Sequence, residues 1–506
     1  MTATATKPYA DDRLPGGLRT GRQFLDAIAN DGRRVFVDGE EVSDVTTHPA
    51  FAETARTMAS LFDIASDPAN RALMTYPSPA TGAPVNRIWQ LPDSVEALRQ
   101  RRGAIERWAE ESVGFMGRTP DHVAGFFVGY AAAPEVLARD GNEKLAANAT
   151  RIYEFLRDND IYIAYTIVPP QIDRSKPAHQ QNPPDLYAGV VEERDDGVII
   201  KGAQMLGTGA VFADYIHLST IHPLRPGDEN YAVSLIVPAN APGVKIHSRR
   251  SYAGAASSVF DYPLASRFDE TDSLVVYDNV FVPWEHIFVY KNTELCRDQW
   301  FATPAHILGN NQAQIRFLTK LRFLTGLAKR ITEMNGVWPI PPVQGSIADI
   351  AVQCAMYEGL LEAQIANAQP NANGIYVPDP QTHYAAMVLQ SRIYPELLNL
   401  IRDLAGGGMI QLPSNVADFD HPEAGADIRR YVQSPDVSAE ERVKLLKLAW
   451  DAVGSEFAGR HDQYEKFYAG APFIVKQRFL WNFDFDTPDR LIEKALSGYD
   501  RKGRVD

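Results

Sequence analysis

The hydrophobic period of this chain changes twice, and the order of those changes limits its fold more than any single motif. From about Thr20 to Asn159 apolar residues recur at helical spacing. Val95, Leu98, Ile105 and Trp108 share one face, with Arg99, Arg101, Arg102, Glu106 and Arg107 mostly around it, and Ser94 is placed to cap that helix. Val136 to Leu156 reads the same way. From about Tyr162 to Tyr290 short β-rich runs alternate with turn residues. Val190-Val191, Asp195-Asp196-Gly197 and Val198-Ile199-Ile200 spell a hairpin with an Asp-Gly turn. Tyr215–Thr220, Tyr231–Val237 and Leu274–Val282 are further strand candidates. From about Pro304 helical spacing returns in long runs, as in Ile315, Leu318, Leu321, Leu324 and Leu327, and again in Val443, Leu446, Trp450, Val453 and Phe457.

The expected fold is therefore α+β, mainly α. A helical domain spans residues 1–159, a β barrel or sandwich 160–290, and a four-helix bundle with a terminal tail 291–506. A chain of 506 residues is long enough for several packed units. Helices, then a β domain, then a bundle is the order of acyl-CoA dehydrogenase-like flavoproteins, where the flavin lies between the β domain and the bundle.

Composition removes several function classes. Fifty Lys and Arg against 64 Asp and Glu leave a net charge of −14, which argues against a general nucleic-acid or anionic-membrane binder. Cys296 and Cys354 are the only cysteines, too few for a disulfide framework or an all-cysteine metal site, and no metal site is expected. Met1 to Gly17 is polar and lacks the apolar core of a leader. No apolar run reaches the roughly 18 residues of a membrane span, so a cytoplasmic protein is expected. A Gly-rich dinucleotide fingerprint, a P-loop and a nucleophile elbow are all missing.

Two proline-stiffened loops, Gly117-Arg118-Thr119-Pro120-Asp121-His122 and Pro169-Pro170-Gln171-Ile172-Asp173-Arg174, each carry an arginine and an aspartate after an apolar segment. A guanidinium can clamp a phenolate, carboxylate or phosphate with a fixed fork of donors. Arg118, after Phe115-Met116, is expected to end a helix and face a cleft; a surface arginine or a cap of helix carbonyls is the plainer reading. His122, four residues on, would be kept neutral beside a guanidinium and could serve as base or acceptor. Tyr165, inside the apolar run Ile161 to Val168, is either a core tyrosine bonded to backbone or a contact for a polar ligand. Arg174 could hold a pyrophosphate or ribityl group, or pair on the surface. Gly207-Thr208-Gly209 offers a hydroxyl and backbone amides to a flat ring, or is a β-bulge. Gly406-Gly407-Gly408 reads chiefly as a helix break. Asp451 to His461 sets small residues on a bulky helix, suiting close helix packing or a cofactor.

Together these stretches resemble the 4-hydroxyphenylacetate 3-monooxygenase oxygenase-component family. The resemblance is carried by Asp44–Phe51, Met116–Asp121, Ile172–Ser175, Asp261–Glu270, Val282–Glu285 and Leu445–Asp451, running into Gly454–Phe457. Gly207–Asp214 looks closer to the branch acting on chlorophenols and nitrophenols. The resemblance implies a homotetramer, and FAD used as FADH2 delivered by a separate NAD(P)H:flavin reductase. It implies O2 as co-substrate, a flavin C4a-hydroperoxide, and hydroxylation of a phenol ortho to its hydroxyl. It makes Arg118, His122 and Tyr165 catalytic and substrate-binding, with Ser219 and Thr220 at the start of a substrate loop. It puts Gln171, Ile172, Asp173, Arg174, Thr208, Gly454, Ser455, Phe457 and Arg460 at the cofactor. The family usually has tyrosine where His122 stands and histidine where Tyr165 stands, so the two identities are exchanged here. Oxidative dehalogenation or denitration by the same chemistry, and a non-oxygenase acyl-CoA dehydrogenase-like flavoprotein, are the alternatives. The sister 4-hydroxybutyryl-CoA dehydratases need an iron–sulfur cluster held by three cysteines and a histidine, which two cysteines cannot supply.

Overall fold

The computed structural model describes residues 16–504, so most of the polar segment Met1 to Gly17 lies outside it. In the first third, helices α1 (Val95–Glu111), α2 (Pro120–Ala132) and α3 (Glu143–Asp158) surround one apolar core. Ser94 caps α1 as expected, its hydroxyl accepting from Ala97 N at 3.1 Å. The helix expected over Val136 to Leu156 is divided: a short one ends at Leu137 and α3 starts at Glu143. Asp140 and Gly141, both at positive φ, turn the chain between them.

The middle region forms two sheets. β1 (Arg34–Val37), β2 (Glu40–Val42), β3 (Ile163–Thr166), β4 (Gly189–Arg194), β5 (Gly197–Gln204), β6 (Tyr215–Leu218), β7 (Val233–Pro238), β8 (Val244–Ser248), β9 (Ser273–Pro283) and β10 (Ile287–Tyr290) are its strands. One sheet runs β2-β1-β8-β9-β5-β4, the other β10-β7-β6-β3. The Asp-Gly hairpin is β4–β5, pairing Arg194 with Gly197. β1 and β2, read from sequence as part of a helical domain, join the first sheet through a parallel β1–β8 ladder. A Val168–Met205 bridge and a 2.7 Å contact between Thr166 Oγ1 and Tyr277 Oη tie the sheets together.

The last third is a helical bundle: α4 (Ala305–Met334), α5 (Pro341–Ala366), α6 (Pro380–Ala405), α7 (Ala439–Val453) and α8 (Glu456–Phe467), then α9 (Pro472–Asn482) and α10 (Asp486–Leu496). This is the acyl-CoA dehydrogenase-like order expected from the sequence. The segment read as one helix across Asp451 to His461 breaks at Gly454, and Ser455 restarts it by accepting from Ala458 N at 3.1 Å. Gly406, at φ 60°, ends α6.

The thirty-residue α4 is buried on nearly every face through its first half. Glycines make this possible: a Cβ on Gly125 or Gly129 of α2 would stand 2.7 Å from Leu308 O or 2.2 Å from Ala305 Cα. The polar residues caught in that contact need partners, and finding them leads to the site.

Candidate functional site

Arg118 lies in the loop after α1, not at a helix end: Thr119 is the N-cap of α2 and Pro120 its first helical residue. The correction has a simple cause. Proline suits the first helical position, where its missing N–H has no partner to lose, so Thr119-Pro120 starts a helix rather than stopping one. The amides of Gly117 and Arg118 both donate to Glu270 Oε2, at 2.8 and 2.7 Å. The Arg118 carbonyl accepts from the Tyr162 hydroxyl at 2.7 Å. With the backbone pinned, the guanidinium donates to Tyr464 Oη at 2.6 Å and to Tyr468 O at 3.0 Å. It also lies 5.6 Å from the Tyr165 ring and 5.0 Å from the Tyr464 ring. A Cβ at Gly117 would fall 2.2 Å from the Tyr464 hydroxyl, so glycine is what lets that phenol reach Arg118.

His122 and Tyr165 meet. His122 Nε2 is 3.4 Å from Tyr165 Oη, and its Nδ1 is 3.2 Å from Gln312 Oε1 of α4. Phe126 and Tyr165 pack on the imidazole at 5.3 and 5.4 Å between ring centres. The histidine and tyrosine singled out in the sequence are assembled at one point beside Arg118. Burial, then Arg118, pushes the His122 pKa well below its usual value, so the ring is neutral. Burial opposes the charge of Arg118, yet Tyr165, Tyr464 and Glu270 hold its pKa above the ordinary value.

Thr208 and Arg460 are joined through one carboxylate. Asp272 accepts from Thr208 Oγ1 at 2.7 Å and from Arg460 at 2.7 and 2.9 Å, while Glu270 Oε1 takes the remaining Arg460 contact at 2.9 Å. Burial works against ionised Asp272, but Arg460 and Arg249 hold its pKa far down. Glu270 thereby links the Arg118 loop to α8.

Gln171, Arg174 and Thr220 line a cavity of about 200 Å³ between the loops around 169–178 and 220–231. Ile172 is 56 % exposed, and the Asp173 carboxylate bonds Ser175 within its own loop. The Ser219 hydroxyl is engaged by Ser234 at 2.6 Å and Gln299 at 3.1 Å. Gly454 lies against the Trp450 ring, Ser455 caps α8, and Phe457 packs in the core against His461 at 4.3 Å. The side chains of Ser219, Ser455 and Phe457 are thus turned to the protein itself.

Sequence reasoning missed Tyr464, Glu270, Asp272 and Gln312. Signals existed for three of these four: Asn310-Asn311-Gln312 is a polar triplet within a helical run, and Asp269-Glu270-Thr271-Asp272 packs three acids just before β9.

Residues 20–289 match the 4-hydroxyphenylacetate 3-hydroxylase N-terminal family, and residues 296–497 the matching C-terminal family. The chain is 34% identical over 482 residues to a 4-hydroxyphenylacetate 3-monooxygenase oxygenase component from Geobacillus sp. (strain PA-9), covering 95% of this chain and 97% of that protein. It is 33% identical over 515 residues to a 4-nitrophenol 2-monooxygenase oxygenase component from Rhodococcus sp., covering 98% and 96%. A crystal structure of the 4-hydroxyphenylacetate 3-monooxygenase oxygenase component, complexed with FAD and 4-hydroxyphenylacetate, superposes with a TM-score of 0.89 at 32% identity, covering 94% of this chain and 98% of that one. With both halves matched in order and nearly the whole length covered, the chain belongs to the 4-hydroxyphenylacetate 3-hydroxylase family.

Proposed function

We propose that this chain is the oxygenase component of a two-component FADH2-dependent monooxygenase that hydroxylates a phenol ortho to its hydroxyl. The observation that carries the reading is the meeting of His122 Nε2 and Tyr165 Oη, 3.4 Å apart, beside the Arg118 guanidinium.

FAD suits the residues present. Ile172 and Leu206 are apolar side chains 56 and 51 % exposed, and the Val168–Met205 bridge brings their segments side by side. Arg174, on the same loop, has no ion-pair partner among the described residues. An isoalloxazine ring wants such an apolar face, and a pyrophosphate such a cation. Gln171 to Arg174, Thr208 and Arg460 would hold the cofactor. Bound reduced flavin supplies the oxygen-activating chemistry, in which one atom of O2 goes to the ring and the other to water.

The chain's own residues bind, orient and keep water out. Arg118 offers positive charge to a phenolic oxygen as it loses its proton. Neutral His122, by its Nε2 lone pair, accepts a proton from Tyr165 or from a phenol bound against it. A deprotonated phenol is richer in electrons at its ortho carbon, where an electrophilic oxygen attacks. Phe126 packs on Tyr165 at 5.7 Å between ring centres, with Trp300 behind Phe126 at 5.5 Å, and excludes water there.

A separate NAD(P)H:flavin reductase would deliver FADH2 in the cytoplasm, and the active form would be a homotetramer. Among the described residues no helix is long and apolar enough to cross a membrane.

The test supplies the purified protein with FADH2, ¹⁸O2 and a panel of phenols including 4-hydroxyphenylacetate and 4-nitrophenol. The expected product is a catechol carrying one ¹⁸O. Nitrite or chloride release with a quinone would favour attack at the substituted carbon. Tight binding of oxidised FAD with no product from any phenol would favour the dehydrogenase-like reading.

A further inference from the structure

Three residues at the start of helix α2, Thr119, Asp121 and His122, each engage a polar partner. Thr119 Oγ1 donates to Asp121 Oδ1 at 2.5 Å. Gln312 Nε2 donates to the same Asp121 oxygen at 2.9 Å and meets Thr119 Oγ1 at 3.3 Å. Asp121, His122 and Gln312 are at most 1 % exposed, so water does not compete for these contacts.

Donor and acceptor bookkeeping then leaves one arrangement. An ionised carboxylate only accepts. Asp121 therefore requires the amide nitrogen of Gln312, which turns the amide oxygen toward His122. That oxygen also only accepts, so His122 Nδ1 must carry the hydrogen. In a neutral imidazole the other nitrogen is then bare, and Nε2 faces Tyr165 as an acceptor.

We propose that Asp121 and Gln312 are positioning residues that fix His122 in the Nδ1–H tautomer, aiming the Nε2 lone pair at the phenolic oxygen of Tyr165 or of a bound phenol. Asp121 acts through Gln312 without touching substrate. The inference deepens the monooxygenase reading and, for its functional consequence, rests on it.

The surroundings agree. Asp121 stands in the first turn of α2, where the helix dipole favours an anion. The fully buried Arg101 guanidinium, whose nitrogens have no hydrogen-bond partner, supplies positive charge toward Asp121 from α1. His122 itself is faced by Arg118, Arg316 and Tyr165, and Asp121 also by Tyr162. Burial lifts the Asp121 pKa to about 6 against the pull of Thr119, Arg101 and Gln312. Below that pH a protonated Asp121 can donate to the Gln312 oxygen, and the amide is free to turn round.

The test labels all histidines with ¹⁵N in the full-length protein and assigns His122 by the signal lost in His122→Asn. Solid-state spectra at pH 8 should contain one protonated Nδ1 and one bare Nε2. Asp121→Asn should mix the two tautomers. Adding Gln312→Glu to Asp121→Asn exchanges amide and carboxylate along the relay, restores an acceptor opposite Nδ1, and should restore the single tautomer. In turnover, Asp121→Asn should lower kcat about tenfold or more with little change in KM, and remove the acidic limb near pH 6. A bare Nδ1 in the wild type, or a spectrum indifferent to Asp121→Asn in protein that still binds FAD, overturns the proposal. Predicted tautomers with an unchanged rate would leave the relay standing and remove His122 from the chemistry, which separates the two readings.

Discussion

Arg118 is held by a phenol that belongs to the protein. Tyr464 receives its Nη1 hydrogen bond at 2.6 Å and keeps its proton because burial lifts its pKa to about 12. Tyr464→Phe keeps the ring and removes the contact. Losing a charge-assisted hydrogen bond costs about 2 kcal/mol, and the freed guanidinium should lower kcat about tenfold by the loss of positioning. Urea unfolding and steady-state rates check both; an unchanged rate would detach Tyr464 from Arg118's work. Arg118 was legible in the sequence because Pro120 stiffens the chain beside it and an arginine there needs a purpose. Tyr464 was not, because it is 346 residues away and nothing local distinguishes it from other helix-surface tyrosines. His122 and Tyr165 could be named from sequence, but that their side chains meet is a tertiary fact.

At the scale of elements, α4 and α8 share a buried charge network. Glu465 bridges Arg316, at 2.9 Å from Nη2, and Lys320, at 2.6 Å, and also accepts from Gln390 at 2.6 Å. Burial opposes ionised Glu465, but Arg316 and Lys320 hold its pKa to about 2; burial brings Lys320 down to about 7 against the pull of Glu465. The sign of the linkage follows. Between pH 7 and 10.5 the unfolded lysine is protonated and the folded one is largely neutral, so folding releases a proton and stability rises with pH. Below pH 7 both states carry the proton and that gain is gone. Relative to Lys320→Met, the wild type should therefore gain up to about 1.4 kcal/mol per pH unit from pH 7 toward 10. Parallel pH dependences in urea titrations would mean Lys320 stays charged. Helical periodicity found α4, since its apolar residues keep strict spacing, yet it gave no warning of Arg316 and Lys320 pointing inward. β1 and β2 went unread because strands of four and three residues carry too few alternations to register.

At the scale of the whole molecule, the two terminal helices are the least finished surface. Phe473, Trp481, Leu491 and Ile492 of α9 and α10 are 58 to 71 % exposed, a larger apolar display than a lone soluble unit usually keeps. A homotetramer covering it is the expected state. Sedimentation should give about four times the 56.1 kDa chain mass, and Phe473→Glu with Trp481→Glu should release smaller species. A monomeric wild type at micromolar concentration would contradict this. The three-part architecture was readable because hydrophobic period is a property of long segments; the exposed apolar face of α9 and α10 was not, because a chain's sequence does not separate surface from core residue by residue.

The central claim is that Arg118, with His122 and Tyr165 against it, is where a phenol is activated. Arg118→Ala, supplied with FADH2 and oxygen, tests it most directly. The variant should retain FAD binding and its unfolding midpoint within a few degrees while catechol formation falls about a hundredfold or more. A variant that still forms catechol within twofold of the wild-type rate would place the chemistry elsewhere in the molecule.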